Sequence, residues 1–111
     1  MAIDGFSHVG VCVADLDAAT AFYCEVLGFR QLYSLDFTEG EVSATMGRGG
    51  AFTSRMLVRD DARIELLWWH DEAPERDVPD GELRPMVRAG FTHLSFRVDD
   101  VDAVAQAAVA A

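Results

Sequence analysis

The sequence has no lysine. All nine basic residues are arginine, set against 19 Asp and Glu, and the net charge is −10 at neutral pH over 111 residues. A surface this acidic repels phosphate backbones, so neither nucleic acid nor an anionic membrane is an expected partner. Cysteine is scarce as well. Cys12 and Cys24 stand apart with no CxxC pair, which argues against a disulfide framework. Cys12 falls in an expected strand and Cys24 in an expected helix, where each reads as a small buried hydrophobe. No apolar run approaches the roughly 18 residues that would span a bilayer. Met1-Ala2-Ile3-Asp4 lacks the basic start and apolar core of a secretory signal, so a cytoplasmic location is the expectation. Proline is rare and confined: Pro74, Pro79 and Pro85 all fall between 70 and 89, a charged stretch that reads as a connector.

Hydrophobic residues make up 50% of the chain, enough to build the core of one domain over residues 1–111. The chain then says one thing twice. Gly5-Phe6-Ser7-His8-Val9-Gly10-Val11-Cys12-Val13-Ala14-Asp15-Leu16-Asp17-Ala18 returns, 85 positions on and without a gap, as Gly90-Phe91-Thr92-His93-Leu94-Ser95-Phe96-Arg97-Val98-Asp99-Asp100-Val101-Asp102-Ala103. A duplicated fold unit accounts for the repeated hydrophobic pattern. It does not by itself require a repeated histidine in mid-strand. His8 and His93 therefore stand out as two imidazoles aimed at a shared place.

Alternation predicts a strand over 3–13, with Phe6, His8, Gly10 and Cys12 on one face and Ser7, Val9, Val11 and Val13 on the other. Asp15 suits a helix N-cap, Leu16, Ala19, Val26 and Leu27 recur at helical spacing, and Gly28 closes a helix over 15–27. Strands are expected over 29–37, 42–46, 52–58 and 63–69, separated by turns at Thr38–Glu41, Gly47–Gly50 and Asp60-Asp61. After the connector, a strand over 91–98 and a helix from Val101 repeat the opening. The order is thus module one over about 1–69, the connector over about 70–89, and the start of a second module over about 90–111. The 85-residue offset carries the counterpart of Trp69 to about position 154, so the second module is incomplete within this chain.

A strand-helix-three-strand unit that repeats and opens on a histidine resembles the vicinal oxygen chelate superfamily, the glyoxalase, bleomycin-resistance and dioxygenase fold. The stretches that carry the resemblance are His8-Val9-Gly10-Val11, Asp15 to Tyr23, Val26-Leu27-Gly28-Phe29, Ile64-Glu65-Leu66-Leu67 and Gly90 to Asp100. It implies an α+β fold in which paired βαβββ modules form a curled mixed sheet around a metal cavity. It is specific for the fold and not for one reaction.

The resemblance also implies metal ligands from the first and last strands of each module. Carried over, these are His8, Glu65 and His93, with a fourth beyond residue 111. Two imidazoles and a carboxylate suit divalent Fe, Mn, Ni, Co or Zn. Glu65 is also the candidate proton-transfer residue. Trp69 and Arg63 share the strand parity of Glu65, and Arg97 that of His93. Trp69 is a candidate wall for an apolar substrate group, and Arg97 a candidate partner for a substrate carboxylate or phosphate. The implied activity is that of a metal-dependent, glyoxalase-like lyase or isomerase of small substrates with adjacent oxygens. An extradiol-type dioxygenase and an acyl-coenzyme A epimerase share the ligand set. A drug-sequestering protein of the bleomycin-resistance kind is the alternative from another class, to which an acidic groove would also be suited. A homodimer is expected, because an incomplete second module leaves sheet edges to cover.

Overall fold

The computed structural model describes residues 2–75, 78–79 and 81–111. Met1 of the expected first module, and residues 76–77 and 80 of the expected connector, lie outside the described residues. The chain folds as a mixed α+β unit around a four-stranded, curled, open sheet. Strands β1 (Val9–Cys12), β2 (Arg30–Phe37), β3 (Phe52–Arg59) and β4 (Ala62–Trp69) lie in the order β1-β4-β3-β2. β1 runs parallel to β4, whereas β3 is antiparallel to both β2 and β4. Helix α1 (Leu16–Ala21) makes the crossover from β1. A single helical turn, α2 (Ser43–Met46), stands between β2 and β3, and α3 (Val101–Ala110) ends the chain.

The caps form where side-chain chemistry demands them. Asp15 Oδ1 accepts from the Ala18 amide at 2.9 Å, satisfying one of the free N–H groups at the start of α1. Asp100 does the same for Ala103, also at 2.9 Å. The expected single helix over 15–27 is corrected to α1 followed by a π-helical segment, Phe22–Val26, in which the Leu27 amide reaches back to the Phe22 carbonyl. Beyond it, Gly28 adopts a φ of 72°, and the Phe29 amide donates to the Tyr23 carbonyl. The Arg59 guanidinium donates to the Leu27 carbonyl, closing the helix end from the neighbouring hairpin.

The core lies between α1 and one face of the sheet. Leu16, Phe29, Leu57, Ile64 and Leu66 form its buried cluster, with Val9, Val11, Val13, Tyr23, Cys24 and Trp68 packed around it. The alternation of β1 is thereby resolved: its valines face the core, and His8, Gly10 and Cys12 face away. Cys12 is therefore exposed, correcting the expectation of a buried thiol; Cys24 does pack against the core.

Two further expectations are corrected. Residues 42–46 form a helical turn and not a strand. β2 pairs directly with β3 down to Phe37–Phe52, so the intervening loop has no ladder to join, and the Met46 amide closes instead on the Val42 carbonyl at 3.0 Å. Residues 91–98 are not a strand either. In the first unit, β1 earns its ladder from β4. Among the described residues, no strand supplies residues 91–98 with a ladder as β4 does for β1. The segment instead lies beside β1, and the Phe96 ring meets the Phe29 ring edge-on at 5.8 Å.

Candidate functional site

The site is built on the sheet face turned away from α1. Register places Gly10 of β1 opposite Glu65 of β4, and Glu65 opposite Met56 of β3. The same alternation puts Phe52, Ser54, Met56 and Val58, together with Leu67 and Trp69, on this face, and most of it is apolar. A carboxylate here is costly unless it is partnered. Glu65 has two partners. Its Oε1 lies 3.5 Å from His8 Nε2, and its Oε2 accepts from the Ser54 hydroxyl at 2.6 Å. Gly10 has no side chain to intervene, and a Cβ built there would sit 3.7 Å from Glu65 Oε1. His8 in turn has Nδ1 within 2.7 Å of the Ser7 hydroxyl, which leaves Nε2 to face the acid. The side chains of His8 and Glu65 are 36% and 22% exposed, so the pair is open to solvent and to a ligand.

The structure thus brings together two of the three expected ligands. His93 lies apart from this pair, beside β1, in a cleft of about 360 Å³ lined by Val9–Cys12, Tyr23 and Phe91–Leu94. Its Nδ1 is 2.8 Å from the Thr92 hydroxyl, repeating the Ser7–His8 arrangement. Among the described residues, no group of three or more His, Cys, Asp and Glu side chains is placed to hold a metal ion. Burial raises the pKa of Tyr23, in the same cleft, above its ordinary value of 10.0 by desolvation of the phenolate.

Trp69 ends β4 in an aromatic row. Its ring is 4.6 Å from Phe52, which stacks on Phe37 at 4.9 Å, and the Arg48 guanidinium covers it at 4.2 Å. Arg48 is itself paired with Glu72 at 2.5 Å. Arg97 lines a different cleft, with Arg59, Asp60 and Asp99, between the π-helical segment and α3. His70, where the expected connector begins, is exposed yet tied down: Nε2 lies 2.8 Å from the Thr53 hydroxyl, which donates to Asp36 at 2.6 Å, and its ring packs on Trp68. Sequence reasoning also missed Ser54. The Asp60-Asp61 turn could have located it, because that turn sets the hairpin register that puts Ser54 diagonally across from Glu65.

With this geometry in place, comparison with known proteins identifies the lineage. The family model for the Glyoxalase/Bleomycin resistance protein/Dioxygenase superfamily matches residues 5–111. The chain belongs to this superfamily. Among solved structures it is similar to a glyoxalase family protein from Bacillus cereus, with a TM-score of 0.76 and 23% identity over 96% of this chain and 70% of the other. It is also similar to the protein SMU.1112c, with a TM-score of 0.61 and 23% identity over 98% of this chain and 75% of that one. At this identity the two structures speak for the fold alone. No curated protein matches the chain. The superfamily includes many enzymes, its members bind small molecules, and divalent metals are frequent among them. Among the described residues, no helix is long and apolar enough to cross a membrane.

Proposed function

We propose that the protein is a metal-dependent lyase or isomerase of the glyoxalase kind, acting on small substrates with adjacent oxygens. The observation that carries this reading is the His8–Glu65 pair on an otherwise largely apolar sheet face. Packing has no use for an acid and an imidazole there, and each has its second polar atom engaged by a serine. The donor set, one imidazole nitrogen and one carboxylate oxygen, fits a borderline divalent cation. His8 and Glu65 would hold it, with His93 as the third ligand drawn from residues 90–111, which we read as the opening of a second module. A divalent ion bound there would act as a Lewis acid on the substrate's oxygens and acidify the adjacent C–H.

The chain's own residues do the rest. Glu65 accepts the proton from one substrate carbon and returns it to its neighbour, so no proton is consumed. Ser7 holds the His8 ring so that Nε2 stays on the open face. The aromatic row ending at Trp69 offers an apolar wall some four residues, or roughly 13 Å, along β4 from Glu65. β1 is an edge strand of the sheet, a position that suits pairing with a second copy of the chain.

A second reading has its own support. Tyr33 and Leu35 leave apolar surface exposed beside the aromatic row, and the chain carries a net charge of −10, a combination that suits sequestering a cationic drug. Titration with NiCl2 and ZnCl2 while following thermal unfolding separates the two. A cation that binds only the folded state at 100 times its Kd adds about 2.7 kcal/mol. A rise in Tm that His8→Ala abolishes supports the metal-dependent reading. An unchanged Tm, together with no metal in the purified protein, sinks it in favour of sequestration.

A further inference from the structure

We propose that Ser54 is a positioning residue that aims Glu65 at the cation site. The inference rests on the reading of His8 and Glu65 as cation donors. Ser54 is 3% exposed, in the middle of β3. The register that pairs Met56 with Glu65 and Ser54 with Leu67 sets Ser54 diagonal to the acid on the same face. Its hydroxyl donates to Oε2 at 2.6 Å, a length typical of an O–H bond to an ionised carboxylate. A hydroxyl has one proton to give, and this one is given to Glu65.

The neighbours on β3 leave Ser54 alone in this task. Phe52, Met56 and Val58, which share its face, are buried and apolar. Without the hydroxyl, no other β3 side chain on that face can hold Oε2, and the carboxylate is free to leave the rotamer that presents Oε1 to His8 Nε2. On the other side, Gly10 puts no side chain beside Oε1. The acid is thus tethered from β3 and unobstructed from β1. Ser54 would touch neither cation nor substrate; it acts through Glu65, as hydrogen-bond partners of ligating carboxylates do.

Calorimetric titration with CoCl2 tests this on the 111-residue chain and its variants Ser54→Ala, Ser54→Thr and Thr53→Ala. Ser54→Ala is expected to weaken Co(II) binding by about tenfold or more. Ser54→Thr keeps the hydroxyl and retains near wild-type affinity. Thr53→Ala serves as the structural control: it also loses buried hydrogen bonds, but on the opposite face, and should leave Co(II) affinity unchanged. If Ser54→Ala does not fold, Ser54→Val, isosteric with Ser54→Thr but without the donor, reads out the same loss against Ser54→Thr. Equal affinity of Ser54→Ala and wild type overturns the role of Ser54 alone. So does a Thr53→Ala variant weakened as much as Ser54→Ala. A wild-type chain that binds no Co(II) overturns the metal reading itself, and the role of Ser54 with it.

Discussion

Glu65 and Leu66 are adjacent in β4 and face opposite ways, so truncating each should separate the fold from the site. Leu66 is fully buried in the core cluster beneath α1, and Glu65 is on the open face with His8. Leu66→Ala removes the equivalent of about three methylenes, at about 0.8 kcal/mol each, or about 2.4 kcal/mol of transfer free energy. The strand is pinned between β1 and β3, so the space cannot collapse fully, and a cavity term brings the expected loss to about 3–4 kcal/mol. Against a total stability of about 5–15 kcal/mol for a domain of this size, that is a large fraction. Glu65→Gln keeps an acceptor for Ser54 and removes only the charge from a partly exposed contact with His8, worth about 0–1 kcal/mol. Urea unfolding at constant slope measures both losses, and Leu66→Ala should lower Tm by about 12–16 °C at about 4 °C per kcal/mol. Glu65→Gln should instead abolish the metal-dependent rise in Tm. A Leu66→Ala loss below about 1 kcal/mol, or a Glu65→Gln loss that exceeds it, would refute the division of β4 into a structural and a functional face.

Four further outcomes are expected. Burial raises the Tyr23 pKa, so its contribution to stability is fully present below the unfolded value of about 10 and is lost as pH rises through the folded value; Tyr23→Phe should flatten the stability profile above pH 10, and an unchanged alkaline limb would refute the burial argument. Gly28→Ala should cost about 1–2 kcal/mol, because an L side chain is strained at a φ of 72° and the new methyl displaces Arg59 from the helix end; chemical denaturation reads it, and a neutral result would mean that the turn relaxes. Asp15→Ala should cost about 1 kcal/mol of global stability. Asp100→Ala removes a bond of equal length but should act only locally, as faster amide exchange in α3, whose residues are mostly exposed.

What could be read in the sequence divides along the range of the interactions involved. The N-cap at Asp15, the helix from Val101, the Gly28 helix end and the Asp60-Asp61 turn depend on a few neighbouring residues and stand in the structure where alternation and capping chemistry put them. Asp60 takes a φ of 50°, a conformation its short polar side chain tolerates. The π-helical segment was not legible. Its widened turn is set by Phe29, Tyr23 and the distant Arg59, which meet only in the folded chain. Likewise, the bulge between Gln31 and Tyr33 answers to β3 and not to its own sequence. Of the site, parity grouped His8 with Gly10 and Cys12 and grouped Glu65 with Arg63 and Trp69, but which face meets the core emerged only in the structure. Ser54 carries no local signal of what it bonds, and only the register counted back from the Asp60-Asp61 turn could have pointed to it.

The repeated segment makes the same point within one chain. Residues 100–110 form a capped helix just as residues 15–21 do, since a cap and a run of helix formers suffice for a local element. Residues 91–98 nearly duplicate the sequence around β1, yet they form no strand. A strand is a property of a pair: β1 has β4 to supply its ladder, and residues 91–98 have no equivalent among the described residues. Each histidine nevertheless keeps its local partner, Ser7 for His8 and Thr92 for His93. What His93 lacks is what His8 obtains from β4, a carboxylate delivered by strand pairing. Supplying residues 91–98 with a parallel partner strand should therefore do two things at once: give β-sheet amide protection to residues 91–98 and move His93 onto the open face. Hydrogen exchange on a chain carrying such a partner would show protection at Leu94 and Phe96 if pairing is the missing element, and none if the segment's own sequence prevents it.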